Sequence, residues 1–424
     1  MKLSLYGRLS MALFASMVLG LGMTACGGGT IGYLWVLGQQ YNQIVGFKID
    51  DFTGNLTETA RSPITTNGTN PVSIVVKSGG RYVYVINQGT APTAGIGTGY
   101  NIGSGIAVYA VGGDGSLTYE NGYSSQGFDP VWAQFDGSGT YLFVLDKYAP
   151  DTATTGCLTS TPVSCDGAIT VFQADPNTGR LTLVQNTQSI PTTGIPPTFF
   201  RVGTTPVMMK TASSCLLTLN SDNSISPFSI NSSSGQLSFT GPQVQQLPGT
   251  HLNSINGNGT YVYLTDDDNG DANSLLFPYT MGSNCNLVSV TGGSRNQGVD
   301  FPGVTNPVYS FIDNSGKYVY VLNQKTTTTA VGTPFSSITG WTLIAGQNGQ
   351  LQPLVGPPYT TGSGPVCMVE DTSNQYMYIS NHNDGTVTGK VFNSTTGAIS
   401  DLTRGATFTA SGQASCLALS GSVD

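Results

Sequence analysis

The sequence predicts an all-β fold, a seven-bladed β-propeller of four-stranded antiparallel blades closed by pairing of its N- and C-terminal segments. Three observations lead there. A short aromatic-apolar run ending at or beside a small polar residue recurs seven times, beginning at Tyr33, Tyr82, Tyr141, Cys215, Tyr261, Tyr318 and Tyr376. A glycine turn recurs after it, as Thr53-Gly54, Asp114-Gly115, Thr178-Gly179, Ser234-Gly235, Asn348-Gly349 and Thr396-Gly397. Finally, the Tyr33 run has no strand of the usual kind before it, whereas Ala414–Leu419 is such a strand with nothing after it. A strand-only period of roughly 40 to 60 residues is the mark of a radial array of small sheets. Two packed sandwiches would leave the complementary half-units at the two ends unexplained, while ring closure pairs both open edges.

Each unit reads as four strands. In the clearest one, Pro71–Val76 is followed by a Gly turn, then Tyr82–Asn87, then Gly105–Tyr109, and Asp114-Gly115 turns the chain into Ser116–Thr118. Apolar and polar residues alternate and the turns are Gly-rich, which is the antiparallel hairpin pattern. First strands open at Pro71, Pro130, Pro206, Thr250, Pro307, Pro365 and Ala414. The unit starting at Thr250 departs from the others by carrying Asn284-Cys285 in place of the Gly turn. Segments Gly89–Ser104, Tyr148–Gly167, Gln185–Thr205 and Lys325–Ser337 are Gly/Pro/Thr-rich insertions. Read as loops, all four emerge on one face of the disc, where binding sites are usually built.

Residues 1–25 read as a signal peptide, 26–31 as a tether and 32–424 as the propeller. Lys2 and Arg8 precede an apolar stretch too short for a comfortable membrane span, and Met23-Thr24-Ala25-Cys26 then meets Gly27-Gly28-Gly29. A small residue before a single Cys resembles a bacterial lipoprotein signal. That resemblance implies lipid on Cys26, a membrane anchor, and a cell-envelope location on the periplasmic or cell-surface side, at the outer membrane where one exists.

Only 9% of the 424 residues are charged, against about 25% in an average domain, so the surface is polar but nearly uncharged. A net charge of -8 and only 15 Lys and Arg argue against nucleic acid, which needs a concentrated basic surface. Beyond Cys26, six cysteines remain. Cys157 and Cys165 share one loop and are placed for a local bridge. Cys215 and Cys285 are placed for one across neighbouring blades. Cys367 and Cys416 occupy equivalent positions on successive first strands, with a spacing expected to be too wide for a bond. No CxxC spacing points to structural zinc.

Two rings of residues surround the mouth. Asn87, Asp146, Asn220, Asp266, Asn323 and Asn381 close the second strands, with Gly38 as the seventh member. Gln39, Gln88, Lys147, Ser221, Asp267, Gln324 and His382 follow them. Asn and Asp recur at such strand ends because they hydrogen-bond local backbone. Thr250-His251 stands where Pro-Val is the norm, which singles out His251 as a general base with Asp266 or Asp146 orienting its ring. Gln88, Lys147, Asn87, Asn323, Gln324, Asn381 and His382 are candidate ligand-binding residues. No cofactor is expected. The run Asp266–Asp271 could offer Asp266, Asp268 and Asp271 to calcium, but it lacks the spacing of a calcium loop and reads better as a solvated turn.

The repeat resembles the seven-bladed lactonase family, which includes bacterial 6-phosphogluconolactonases. One stretch is sharper than the blade period. Thr250-His251 through the Gly259 turn to Tyr261–Asp266 keeps the family's length, its His, its turn Gly and its strand-closing Asp. One blade later the likeness fails, because Pro307-Val308-Tyr309 and Asn323-Gln324 stand where the family tends to carry Pro-Arg-His and Asn-Glu. The resemblance therefore implies a propeller that binds a carbohydrate, peptide or protein partner with catalysis lost. The alternative is a lactone hydrolase with His251 as base.

Overall fold

The computed structural model describes residues 29–90, 102–150, 165–187, 197–239, 241, 243–268, 275–290, 304–324, 336–344, 346 and 349–421. They form seven separate antiparallel sheets, each with a main path of four strands, so the fold is the seven-bladed propeller that the repeat predicts. Blade one takes its inner strand from the far end of the chain. Ala414–Gly421 pairs with Thr30–Gly38, followed outward by Gln43–Asp50 and Leu56–Glu58. The other inner strands are Pro71–Val76, Phe128–Phe135, Pro206–Ala212, Leu252–Gly257, Pro307–Ile312 and Pro365–Glu370 in blades two to seven. Neighbouring inner strands touch all the way round, so the ring is closed.

The second strand of every blade is its most buried element, as expected of a strand with sheet on both faces. Leu34–Leu37, Val83–Ile86, Leu142–Leu145, Val262–Leu264, Val319–Leu322 and Met377–Ile379 are wholly enclosed. Burial falls outward, and the outer strand buries only its first residue, as in Leu56–Glu58 and Ile399–Asp401. In blades one, three, four, six and seven a further short strand lies along the outer edge, paired to the third strand. One of these, Phe200–Thr204, falls within the Gln185–Thr205 segment expected to be a loop. Phe200 and Val202 pack there against Ile169 and Phe228, which overrides the segment's turn-rich composition.

The seams between blades follow one rule. The Tyr that opens each second strand lies over the glycine of the next blade's outer turn: Tyr33 over Gly115, Tyr82 over Gly179, Tyr141 over Gly235, Tyr261 over Gly349, Tyr318 over Gly397 and Tyr376 over Gly54. Each of those glycines has φ between +66° and +87°, and a Cβ on any of them would run into the ring. Glycine is needed there for both reasons. Two residues on, a second ring often fixes the same turn, with Tyr84 donating to Gly179 O at 2.9 Å, Tyr263 to Gly349 O at 2.8 Å and Tyr378 to Gly54 O at 2.6 Å.

The seam between blades four and five lacks both the Tyr and the Gly. Cys215 and Cys285 fill those two places and form a disulfide with Cα atoms 5.5 Å apart, the cross-blade bridge expected from the sequence. Cys285 keeps the positive φ, +58°, that glycine adopts at the other seams. Cys367 and Cys416 correct the opposite expectation. Their strands approach closely at the axis and bring the sulfurs to 2.7 Å. Cys157 lies outside the described residues, so the bridge expected with the buried Cys165 does too.

Candidate functional site at the propeller mouth

Inner and second strands meet at the mouth in one repeated register: Pro71 opposite Asn87, Pro130 opposite Asp146, Pro206 opposite Asn220, Leu252 opposite Asp266, Pro307 opposite Asn323 and Pro365 opposite Asn381. Leu252, not His251, therefore holds the Pro position in blade five. His251 belongs one step earlier, level with Asn70, Asp129, Thr205, Asn306 and Gly364. Those five have φ between +37° and +69°, a turn that Asn, Asp and Gly accept most easily.

The ring of Asn and Asp that closes the second strands is buried, each member at most 2% exposed. Except for Asn220, its side chains hold the approach to the inner strands. Asn87 Nδ2 donates to Thr66 O at 3.1 Å, and Asn323 Oδ1 accepts from Thr305 N at 3.0 Å. Asn381 bonds Thr361, Thr386 and Thr388, and Asn220 bonds Ser224 and Ser226. Asp266 accepts from the backbone N–H groups of Thr250 at 2.6 Å and of His251 and Asp268 at 2.9 Å. Asp146 accepts from Gly127 N and Thr170 Oγ1 and bonds Ser125, its Oδ1 meets no donor in hydrogen-bond geometry among the described residues, and burial pushes its carboxyl up to about 7.

The groups more open to solvent are the residues just after that ring and those just before the inner strands. They join in pairs. From blade one to blade three they form a continuous arc. Gln39 Nε2 donates to Asn70 Oδ1, Asn70 Nδ2 donates to Gln88 Oε1 at 2.6 Å, Gln88 bonds Asp129, and Lys147 lies 3.9 Å from Asp129 and over the Tyr148 ring. Burial raises the Asp129 pKa, and the Lys147 charge and the Gln88 bond partly offset the rise. In blade four Thr205 bonds Ser221. In blade five His251 Nδ1 lies 2.5 Å from Asp267 Oδ1, with the imidazole about half exposed. Gln324 donates to Pro365 O at 3.2 Å, and the His382 N–H donates to Gly364 O at 2.7 Å.

His251 is thus oriented by Asp267, where Asp266 or Asp146 was expected. Asp266 is spent on backbone, and Asp146 sits two blades away. Asn70 and Asp129 are members of the mouth that the sequence reading missed, although an Asn or Asp directly before Pro at residues 70, 129 and 306 was a visible signal. Of the calcium candidates, Asp271 lies outside the described residues. No three acidic, His or Cys side chains gather into a metal-holding group among the described residues.

The profile of the family described as "Lactonase, 7-bladed beta-propeller" matches residues 30–155. That match spans less than a third of the chain, which resembles the family over those residues. A candidate 6-phosphogluconolactonase from Bacteroides fragilis superposes with a TM-score of 0.64 at 16% identity, covering 92% of this chain and 98% of that one. The periplasmic gluconolactonase of Pseudomonas aeruginosa gives 0.63 at 15% identity, over 93% and 100%. At such identities the chain shares the fold alone with them. No curated protein matches it by sequence.

Proposed function

We propose that this propeller binds a small neutral carbohydrate at its mouth and that hydrolysis has been lost. The observation that carries the reading lies in blade six. Val308, standing where the resemblance would put an arginine, packs into the seam with Leu322 and Met368, and Gln324, in place of a glutamate, donates to Pro365 O. Among the described residues, these two positions supply neither a cation for a developing oxyanion nor a carboxylate base. The arc from Gln39 to Lys147 instead offers side-chain amides and one cation paired with the Asp129 carboxylate, groups suited to hydroxyl-rich ligands. Calorimetric titration with a panel of neutral sugars and sugar lactones tests this. Binding that weakens about tenfold in Gln88→Ala is expected, and no binding across the panel would refute it.

The His251–Asp267 pair favours a second reading, lactone opening with the imidazole taking a proton from water. Turnover of any sugar lactone that disappears in His251→Ala would establish it, whereas wild-type protein inert from pH 5 to 9 would end it. Tethering through lipid on Cys26 is part of the first proposal. Detergent-phase partitioning of the wild type but not of Cys26→Ala is the outcome it requires.

A further inference from the structure

Cys367 and Cys416 hold matching places on adjacent inner strands, two residues past the Pro365 and Ala414 positions that face the mouth. The same position carries Ser73, Trp132, Met208, Ser254 and Tyr309 in the other blades. Here two thiols meet in a closed setting, 3% and 6% exposed, with sulfurs 2.7 Å apart. Ordinary non-bonded sulfurs stay well beyond 3 Å, and a disulfide needs about 2.05 Å, so a sub-ångström shift converts contact into bond. Neighbouring groups favour the chemistry. The Cys416 thiol, then the Leu417 and Met368 backbone and the Tyr309 hydroxyl, hydrogen-bond Cys367 and lower its pKa against the opposing effect of burial, which makes it the better attacking thiolate.

We propose that Cys367 and Cys416 form a second disulfide, a clasp on the propeller axis that locks the C-terminal strand to blade seven. The strand Ala414–Gly421 is otherwise held in its sheet by one partner, Thr30–Gly38. The bond would close a loop spanning 49 positions and tie the ring at the junction where the two ends of the chain meet. The reaction needs an oxidant of the disulfide class, a small molecule or a thiol–disulfide oxidoreductase. Cys367 thiolate attacks one of its sulfurs and expels the first thiol. Cys416, losing its proton, attacks the mixed disulfide and expels the second. Two electrons and two protons leave the pair and the oxidant departs as a dithiol. Because both sulfurs are buried, the bond forms as the last strand docks, before the axis shuts.

The full chain is refolded in a glutathione redox buffer, alkylated with N-ethylmaleimide on unfolding, and digested for mass spectrometry. The expected product is a Cys367 peptide joined to a Cys416 peptide, about 2 Da lighter than the two thiol forms together. Both cysteines carrying maleimide in protein whose Cys215–Cys285 bond is intact would overturn the proposal, since that intact bond certifies the oxidising conditions. Hydrogen exchange then reads the lock itself. Amides of residues 414–421 should exchange about tenfold faster in Cys367→Ala, which leaves the docked strand's own sequence untouched, than in oxidised wild type. Equal rates would mean that the bond, even if formed, does not hold the strand.

Discussion

Blades four and five are joined by a bond, whereas the six other seams rest on a phenol ring seated over a glycine. The two devices occupy the same pair of positions, so one geometric problem has two solutions. At the Tyr–Gly seams the outer turn must come within van der Waals reach of a flat ring, which a bare Cα allows. At the exceptional seam two short side chains span the same gap, and Leu217 replaces the second aromatic that elsewhere fixes the turn, as Tyr320 does in blade six. The covalent seam acts mainly on the unfolded chain by limiting its freedom. The aromatic seams act on the folded state through burial and hydrogen bonds. This comparison teaches that a repeat position is conserved in geometry even when its chemistry changes completely.

Breaking the exceptional seam should have the largest effect. Cys215→Ala with Cys285→Ala removes a bridge of sequence separation 70 and should cost about 4 kcal/mol in urea unfolding. Installing the common device instead, as Cys215→Tyr with Cys285→Gly, should recover roughly 2 kcal/mol of that loss. No recovery would show that the two devices are not interchangeable. Next comes Gly397→Ala, which places a Cβ against the Tyr318 ring at φ +73° and should destabilise by about 3 kcal/mol. An effect below about 0.5 kcal/mol would mean that the turn moves aside freely.

The smallest effect at neutral pH is Tyr320→Phe, which deletes a 2.5 Å bond to Gly397 O and should cost about 1 kcal/mol. It also sharpens the contrast at alkaline pH. Burial, with Asp313 second, holds the Tyr320 phenol above its usual pKa of 10.0. Its contribution is therefore complete below that value. Above it the unfolded chain gives up the proton while the folded chain keeps it, so stability falls by about 1.4 kcal/mol per pH unit for each such phenol. Tyr84, Tyr263 and Tyr378 behave alike, while the disulfide seam has no phenol to lose. In Tyr320→Phe the alkaline slope should drop by one phenol's share, and an unchanged slope would remove Tyr320 from this account.

The architecture could be read from the sequence because each blade repeats its Tyr run and Gly turn, and because the exceptional pair fell at those two repeat positions. The mouth was harder to read. Which of the neighbours Asp266 and Asp267 meets His251 depends on a bulge after the first inner-strand residue, present between Leu252 and Ser254, and periodicity gives no sign of it. The register places Asp266 against backbone and leaves Asp267 for the imidazole. The close approach of Cys367 and Cys416 is hidden from the sequence for a related reason. Spacing along the chain carries no information on how tightly inner strands crowd at the axis. Phe200–Thr204 became a strand because its apolar side chains found a seam to fill, a tertiary contact no local composition reveals.

Blade one is assembled from the two ends of the molecule, which ties its completion to the order of synthesis. A chain emerging N-terminus first carries Thr30–Gly38 with one flank waiting until residues 414–421 have appeared. A circular permutant whose new ends lie in the Gly89–Ser104 connection would make that blade contiguous. It should move the late closure to blade two, whose second and third strands would then lie at opposite ends of the chain, and leave the finished ring unaltered.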